Sequence, residues 1–251
     1  MEFFKLTDRI YYLCHEEETD RPVLGYICGD NISVAVDAGN SKQHVRAFYR
    51  ELRKRGLRLP DYTVITHWHW DHTFGMHACV GKTIASVATN EKLKEFLSWR
   101  WSEEDMARRL REGQEIEFCD RRIHKEYPDI KKIKVVKADI ELSGQMELDL
   151  GGVTCEICEV ICPHSEGSVY VYIPQEKVLF SGDAGCEDFY LNDGDEDEEK
   201  LMLYISAMKK IDFETEILSH DVLQTKEEML AHLKAEISKT DKRGRFFKKF
   251  P

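Results

Sequence analysis

The chain has 251 residues, 42% of them hydrophobic, which is enough to bury a sizeable core and makes one domain over residues 1–251 the expectation. Its 47 acidic and 36 basic residues leave a formal net charge of −11, a balance that repels phosphate backbones and disfavours a nucleic acid partner. No stretch reaches transmembrane length, the N-terminus lacks a signal-like apolar core, and the eight cysteines are read as free thiols of a cytosolic protein.

In chain order, residues 3–14 alternate loosely and predict a hairpin, and residues 16–22 form a polar loop. Short strands follow at Gly25–Cys28 and Ile32–Val36, the second ending in Asp37-Ala38-Gly39. Ser41 is placed to cap a helix whose apolar face is Val45, Phe48, Tyr49 and Leu52, with Gly56 as its stop. A β-branched run, Val64–Thr66, leads into His67, His69, Asp71 and His72. A short helix closes over His77 to Gly81, Ile84–Val87 reads as a strand, and helices follow from Thr89 or Asn90 and from Ser102. Residues 114–133 read as polar and irregular, and residues 134–182 as strand-rich. Glu198–Ile211 is a helix, Glu216–Leu218 a strand, and Thr225 with Glu228 a capping box for a last helix to about Ser238. No internal repeat interrupts this order, which suggests two sheets packed face to face with helices outside.

The histidine cluster carries the chemistry. In extended backbone, residues two apart project to one side, so His67 and His69 face one point while Trp68 faces away. Asp71 and His72 are consecutive, diverge on regular structure and suit a turn and a second ion. Imidazoles with a carboxylate suit zinc, iron(II) or manganese(II). Three further polar residues stand at strand ends or tight turns: His164 after Thr154–Ile161, Asp183 after Val178–Phe180, and His220 after Ile217–Leu218. Gly167, Gly182 and Gly185 are small neighbours that let backbone crowd a metal centre.

The ordered set Asp37, His67-X-His69-X-Asp71-His72, His164, Asp183 and His220 resembles the metallo-β-lactamase superfamily over positions 37–220. The resemblance implies a four-layer αββα sandwich with two divalent metal ions, zinc first, iron or manganese as alternatives, at one edge of the sheets. It implies that His67, His69 and His164 hold one ion, that Asp71, His72 and His220 hold the other, and that Asp183 bridges them. Asp37 would support the histidine loop from behind. The implied activity is hydrolysis of a small-molecule ester, thioester, lactone, amide or phosphodiester by a metal-bridging hydroxide, with Asp71 orienting the nucleophile or shuttling a proton. His69, where the flavin-linked diiron oxidoreductases carry Glu, sets that branch aside. Asp183, where many true β-lactamases carry Cys, favours the general hydrolase branch. A mononuclear iron persulfide dioxygenase and a non-catalytic, metal-retaining binding protein remain the alternatives.

Other features receive blander readings. Trp68, Trp70, Trp99 and Trp101 are pocket lining or core; residues 97–127 are a lid, a pocket wall or a solvent-facing helix. Cys155 and Cys158 project to opposite faces of a strand, so with Cys162 they are read as buried thiols and not a metal cluster. His15, His44, His77, His124 and His232 are surface or core residues, the acidic run 193–199 is a solvated loop, and the basic tail 239–251 is a frayed or self-packed end.

Overall fold

Alternation along the strands gives each sheet an inner and an outer apolar face, and both must be covered. The computed structural model describes residues 1–191, 194 and 197–247, with side chains described to residue 237. One sheet holds β1 (Phe3–Lys5), β2 (Ile10–Leu13), β3 (Leu24–Cys28), β4 (Ser33–Val36), β5 (Tyr62–Val64), β6 (Lys82–Ser86) and β7 (Ile140–Leu142) in chain order. Pairing is antiparallel from β1 to β4 and parallel from β4 to β7. The other sheet holds β8 (Gln145–Asp149), β9 (Thr154–Glu159), β10 (Val169–Ile173), β11 (Val178–Gly182), β12 (Thr215–Leu218) and β13 (Gln224–Thr225), again in chain order. Its pairs are antiparallel except β11 with β12.

Between the sheets, Val34, Val64 and Ile84 meet Ile157, Val171 and Phe180 in one apolar cluster. Ala35, one residue on from Val34, faces outward instead, into a cluster with Phe48 and Leu52 of α1 (Lys42–Lys54). On the far side, Leu179 packs with Leu201 and Tyr204 of α6 (Glu198–Lys210) and Met229 of α7 (Lys226–Phe247). A further cluster joins Trp70 of the one-turn α2 (Trp70–Thr73) to Leu93 of α3 (Val87–Leu97), Met106 of α4 (Glu103–Arg111) and Ile123 of α5 (Glu117–Glu126). The order of layers is αββα, as the resemblance implies.

The caps behave as their side chains dictate. Ser41 Oγ accepts from the His44 N–H at 3.1 Å, and Glu228 accepts from the Thr225 N–H at 2.8 Å while donating its own N–H to Thr225 Oγ1 at 3.2 Å. The expected irregular stretch 114–133 is a correction: Glu117–Glu126 is helical. Its signal was masked because its apolar residues are few, while Glu117 and Asp120 at the start and His124 and Lys125 at the end suit a helix dipole. The last helix also runs past Ser238, to Phe247. The side chains of the basic tail 239–251 lie outside the described residues, as does part of the acidic run; Asp197 within it caps α6. None of the eight cysteines forms a disulfide. Cys155 lies in the core between the sheets and Cys158, half-buried, on the other face of β9. Among the described residues no helix is long and apolar enough to cross a membrane.

Candidate metal centre

Strand ends at one rim of the sandwich deliver the candidate residues. Beyond β5 the chain stays extended, and the Ile65 N–H donates to the Ile84 carbonyl at 2.8 Å. His69 then stands at the N-cap of α2, which carries Asp71 and His72 on its single turn. This loop is tied to the end of β4, since Ala38 N–H donates to the His72 carbonyl at 3.1 Å and Gly75 N–H to the Gly39 carbonyl at 2.9 Å. A Cβ at Gly75 would stand 1.9 Å from the Ala38 carbonyl oxygen, so only glycine permits that approach. From the other sheet, His164 lies between β9 and β10, Asp183 directly follows β11, and His220 follows β12. Two backbone bonds join the sheets at this rim, Val169 N–H to the Thr66 carbonyl at 2.8 Å and Val23 N–H to the Ser219 carbonyl at 2.7 Å.

The seven side chains fall into two groups, His67, His69 and His164, and Asp71, His72, Asp183 and His220. Within each group the possible ligand atoms all lie within 4.8 Å of one another. His164 Nε2 stands 3.2 Å from His67 Nε2 and 3.0 Å from His69 Nδ1. Asp71 Oδ2 is 3.0 Å from both His72 Nε2 and His220 Nε2. Asp183 Oδ2 belongs to both neighbourhoods: it is 3.1 Å from His72 Nε2, 3.6 Å from His220 Nε2, and 3.7 Å from both His67 Nε2 and His164 Nε2.

Behind the rings, other groups fix which nitrogen points inward. Asp37, buried and at φ +64°, accepts the Thr66 N–H at 2.8 Å and the Thr66 hydroxyl at 2.9 Å. Its other contact is His72 Nδ1 at 2.8 Å, which leaves Nε2 facing the group. The His164 Nδ1–H donates to the Glu187 carbonyl at 3.0 Å, and His67 Nδ1 meets Thr66 Oγ1 at 3.1 Å. The inward nitrogens of His67 and His164 therefore present lone pairs to each other across 3.2 Å. Such an arrangement is repulsive unless a cation lies among the rings, and the donor set fits a divalent metal. Of the three glycines read as crowding the centre, Gly182 does so: at φ +61°, its Cβ would stand 2.8 Å from Thr66 Cβ. Gly167 and Gly185 face Ala88 and Leu233 instead, which corrects their expected role.

The electrostatics divide the groups in the same way. Burial, reinforced by neighbouring imidazoles, holds His67 and His69 well below the ordinary histidine range, and burial also lowers His164. Burial opposes protonation of His72 and His220 too, but their carboxylate neighbours outweigh it. His72 lies well above its ordinary value, chiefly through Asp71, and His220 is raised to about 9, chiefly through Asp183. Asp71 and Asp183 lie well below the carboxylate range despite burial, because His72 and His220 outweigh it. The acidic group thus calls for positive charge, and divalent ions supply it where protons otherwise would.

The rim opens into a cavity of about 530 Å³ that touches His69, Asp71, His164, Asp183 and His220. Two of its lining residues carried no recognisable signal in the sequence. Asp20, at φ +56° in the polar loop, lies 3.8 Å from His220 Nδ1, and burial with the nearby Asp71 charge raises its carboxyl to about 7. His15, read as an ordinary surface or core histidine, is a lining residue as well. Residues 97–127 contribute a wall only through Ile116, Phe118, Cys119 and Arg122. None of the four tryptophans lines this cavity. Trp68 lies against Phe96 and Tyr190, and Trp99 and Trp101 hold the buried Arg109 guanidinium at 4.5 and 4.9 Å from their ring centroids.

Comparison with known proteins agrees with this geometry. Residues 23–226 match the family described as the metallo-beta-lactamase superfamily. The chain is structurally similar to a metallo-beta-lactamase from Pontibacter korlensis, with a TM-score of 0.64, 18% identity, and coverage of 94% of this chain and 98% of the other. Similarity to the DIM-1 metallo-beta-lactamase has a TM-score of 0.64 at 17% identity, covering 95% of this chain and 97% of that one. The sec-alkylsulfatase Pisa1 from Pseudomonas sp. is similar with a TM-score of 0.67 at 18% identity, over 93% of this chain but 40% of its own. No curated protein sequence matches the chain.

Proposed function

The chain belongs to the metallo-beta-lactamase superfamily, and on that premise we propose that it is a dinuclear metallohydrolase acting on a small-molecule substrate. The observation that carries the reading is the position of Asp183 Oδ2, within 3.1–3.7 Å of imidazole nitrogens from both groups. A carboxylate so placed would serve two cations at once. His67, His69 and His164 would hold one ion, Asp71, His72 and His220 the other, with zinc the first expectation and iron or manganese accommodated by the same donors. When bound, two such ions supply Lewis-acid polarisation and lower the pKa of water to about 7.

The protein's own contribution is positional. Asp37 and Thr66 lock the tautomers of His67 and His72, and the Glu187 carbonyl locks His164, so the centre is ordered before substrate arrives. Asp71, between His72 and His220 and facing the cavity, is the group placed to orient a nucleophile or carry a proton. Hydrolysis of an ester, thioester, lactone, amide or phosphodiester is the reaction class this constellation serves.

Metal analysis of protein purified without added metal and then reconstituted should find two ions per chain. A panel of those five substrate classes should show turnover that Asp183→Ala abolishes. No more than one tightly bound ion would sink the dinuclear mechanism. Oxygen uptake with a persulfide substrate would replace hydrolysis by sulfur oxidation.

A further inference from the structure

The wall of the cavity says more about substrate than its floor does. Ile116, Phe118, Phe189 and Tyr190 form its apolar surface. Phe118 and Phe189 are 45% and 52% exposed, although neighbouring apolar side chains of α5, such as Ile123, are fully buried. Exposed phenyl rings lining a concave site are the ordinary signature of an apolar ligand group. The charged lining points the same way. Among the described residues, Arg122 is the sole permanent cation on the cavity wall, and it is already engaged: its guanidinium donates to the Glu18 carbonyl at 2.8 Å and lies 5.1 Å from the Phe118 ring centroid. Glu17 and Asp20 add two carboxylates to those of Asp71 and Asp183. Bound ions would offset the charge of Asp71 and Asp183, so an anionic tail lying along the wall away from them would meet Glu17 and, among the described residues, no free cation.

This wall is also fixed in advance. At the start of α5, the Tyr190 hydroxyl donates to buried Glu115 at 2.9 Å, and the Tyr190 ring packs 5.1 Å from the His69 ring. At its other end, Arg21 donates to both carboxylate oxygens of Glu126, at 2.8 and 3.0 Å, and the Tyr127 hydroxyl donates to the Asn40 carbonyl at 2.8 Å. Tethers at both ends hold the two halves of the fold against one wall helix, so the apolar surface is present before binding.

We propose that this site selects an uncharged substrate, an ester or lactone class compound, whose alkyl or aryl group lies against Ile116, Phe118 and Phe189. The inference deepens the hydrolase reading and rests on it, so its test separates binding from turnover. Non-hydrolysable 2-alkanones of six, eight and ten carbons are titrated into the metal-loaded protein by calorimetry. Affinity should rise about fourfold per added methylene. Phe118→Ser with Phe189→Ser should flatten that slope, while Phe118→Leu should keep it. The melting temperature of each variant shows whether it is folded, and Phe118→Leu carries the test if the double variant is not. At equal length, 9-oxodecanoate should bind at least about tenfold more weakly than 2-decanone, the scale of one adverse charge interaction.

A flat series in the parent protein overturns the apolar assignment. Equal or tighter binding of the oxo acid overturns the uncharged one and makes Arg122 an anion anchor. If the alkanones bind with the expected slope but the loaded protein turns over none of the five substrate classes, the hydrolase reading fails and the cavity assignment stands. If short and long esters are cleaved with equal kcat/KM and the alkanones bind without a slope, the hydrolase reading stands and the cavity assignment fails.

Discussion

The floor and the wall of the cavity are built by different means. The floor is made of strand ends. His67, Asp183 and His220 follow β5, β11 and β12, and the backbone bonds from Val169 and Val23 join the sheets beside them. The wall is a helix, α5, positioned by a few long side chains: Tyr190 to Glu115 at one end, Arg21 to Glu126 at the other. Strand ends in a packed sandwich are fixed by the whole core, whereas a tethered helix is fixed by contacts that single substitutions remove. The floor therefore sets the chemistry, and the wall is where specificity changes most cheaply.

Breaking the floor should have the largest consequence. Asp183→Ala should reduce metal content below two ions per chain and turnover to that of the metal-free protein, checked by elemental analysis and initial rates. Removing support one layer out should cost less. Asp37→Ala frees Thr66 and His72 together, so metal affinity or kcat/KM should fall about 10–100-fold, read by chelator competition and steady-state kinetics.

The wall should respond to pH before it responds to metal. Burial raises the Glu115 carboxyl to about 7, so the folded protein keeps this proton where the unfolded chain, near 4.5, has lost it. That contribution is full below pH 4.5 and is lost as pH rises through about 7, at about 1.4 kcal/mol per pH unit in that window. Glu115→Gln should remove this slope from urea-unfolding free energies measured between pH 5 and 8, gaining on the parent as pH rises. A parent and variant with parallel profiles would mean that Glu115 does not control the wall. The smallest effect is expected from Tyr190→Phe, which removes one hydrogen bond for about 1 kcal/mol of stability and leaves metal content unchanged. Loss of metal in that variant would show that wall and floor are one unit through the Tyr190–His69 contact.

Much of the floor was legible in the sequence because its signals are local. His67, His69, Asp71 and His72 crowd into six positions, and His164, Asp183 and His220 each follow an apolar run with small or turn-forming neighbours. Capping chemistry at Ser41, Ser102 and Thr225 was equally local. Residues 97–127 were open to reading as a lid, a pocket wall or a solvent-facing helix, but the helix over Glu117–Glu126 was not legible. α5 has only Cys119 and Ile123 as buried apolar side chains, too few to give a helical period. The tryptophans stayed open between pocket lining and core, because an indole signals burial against something without saying against what; Trp99 and Trp101 flank Arg109.

By itself the sequence suggested two sheets packed face to face and picked out the seven polar side chains at strand ends, because strand periodicity and strand-end placement are properties of short stretches; the αββα class came from the family resemblance those residues carry. The tertiary structure sets Asp183 between the two groups, as the resemblance implied, and it alone decided that Asp20 and His15 face the cavity and that Phe118 and Phe189 are left exposed there. Those facts depend on how two sheets and a tethered helix meet across more than a hundred residues of chain, as Arg21 meets Glu126, and no local pattern of residues encodes a distance of that kind.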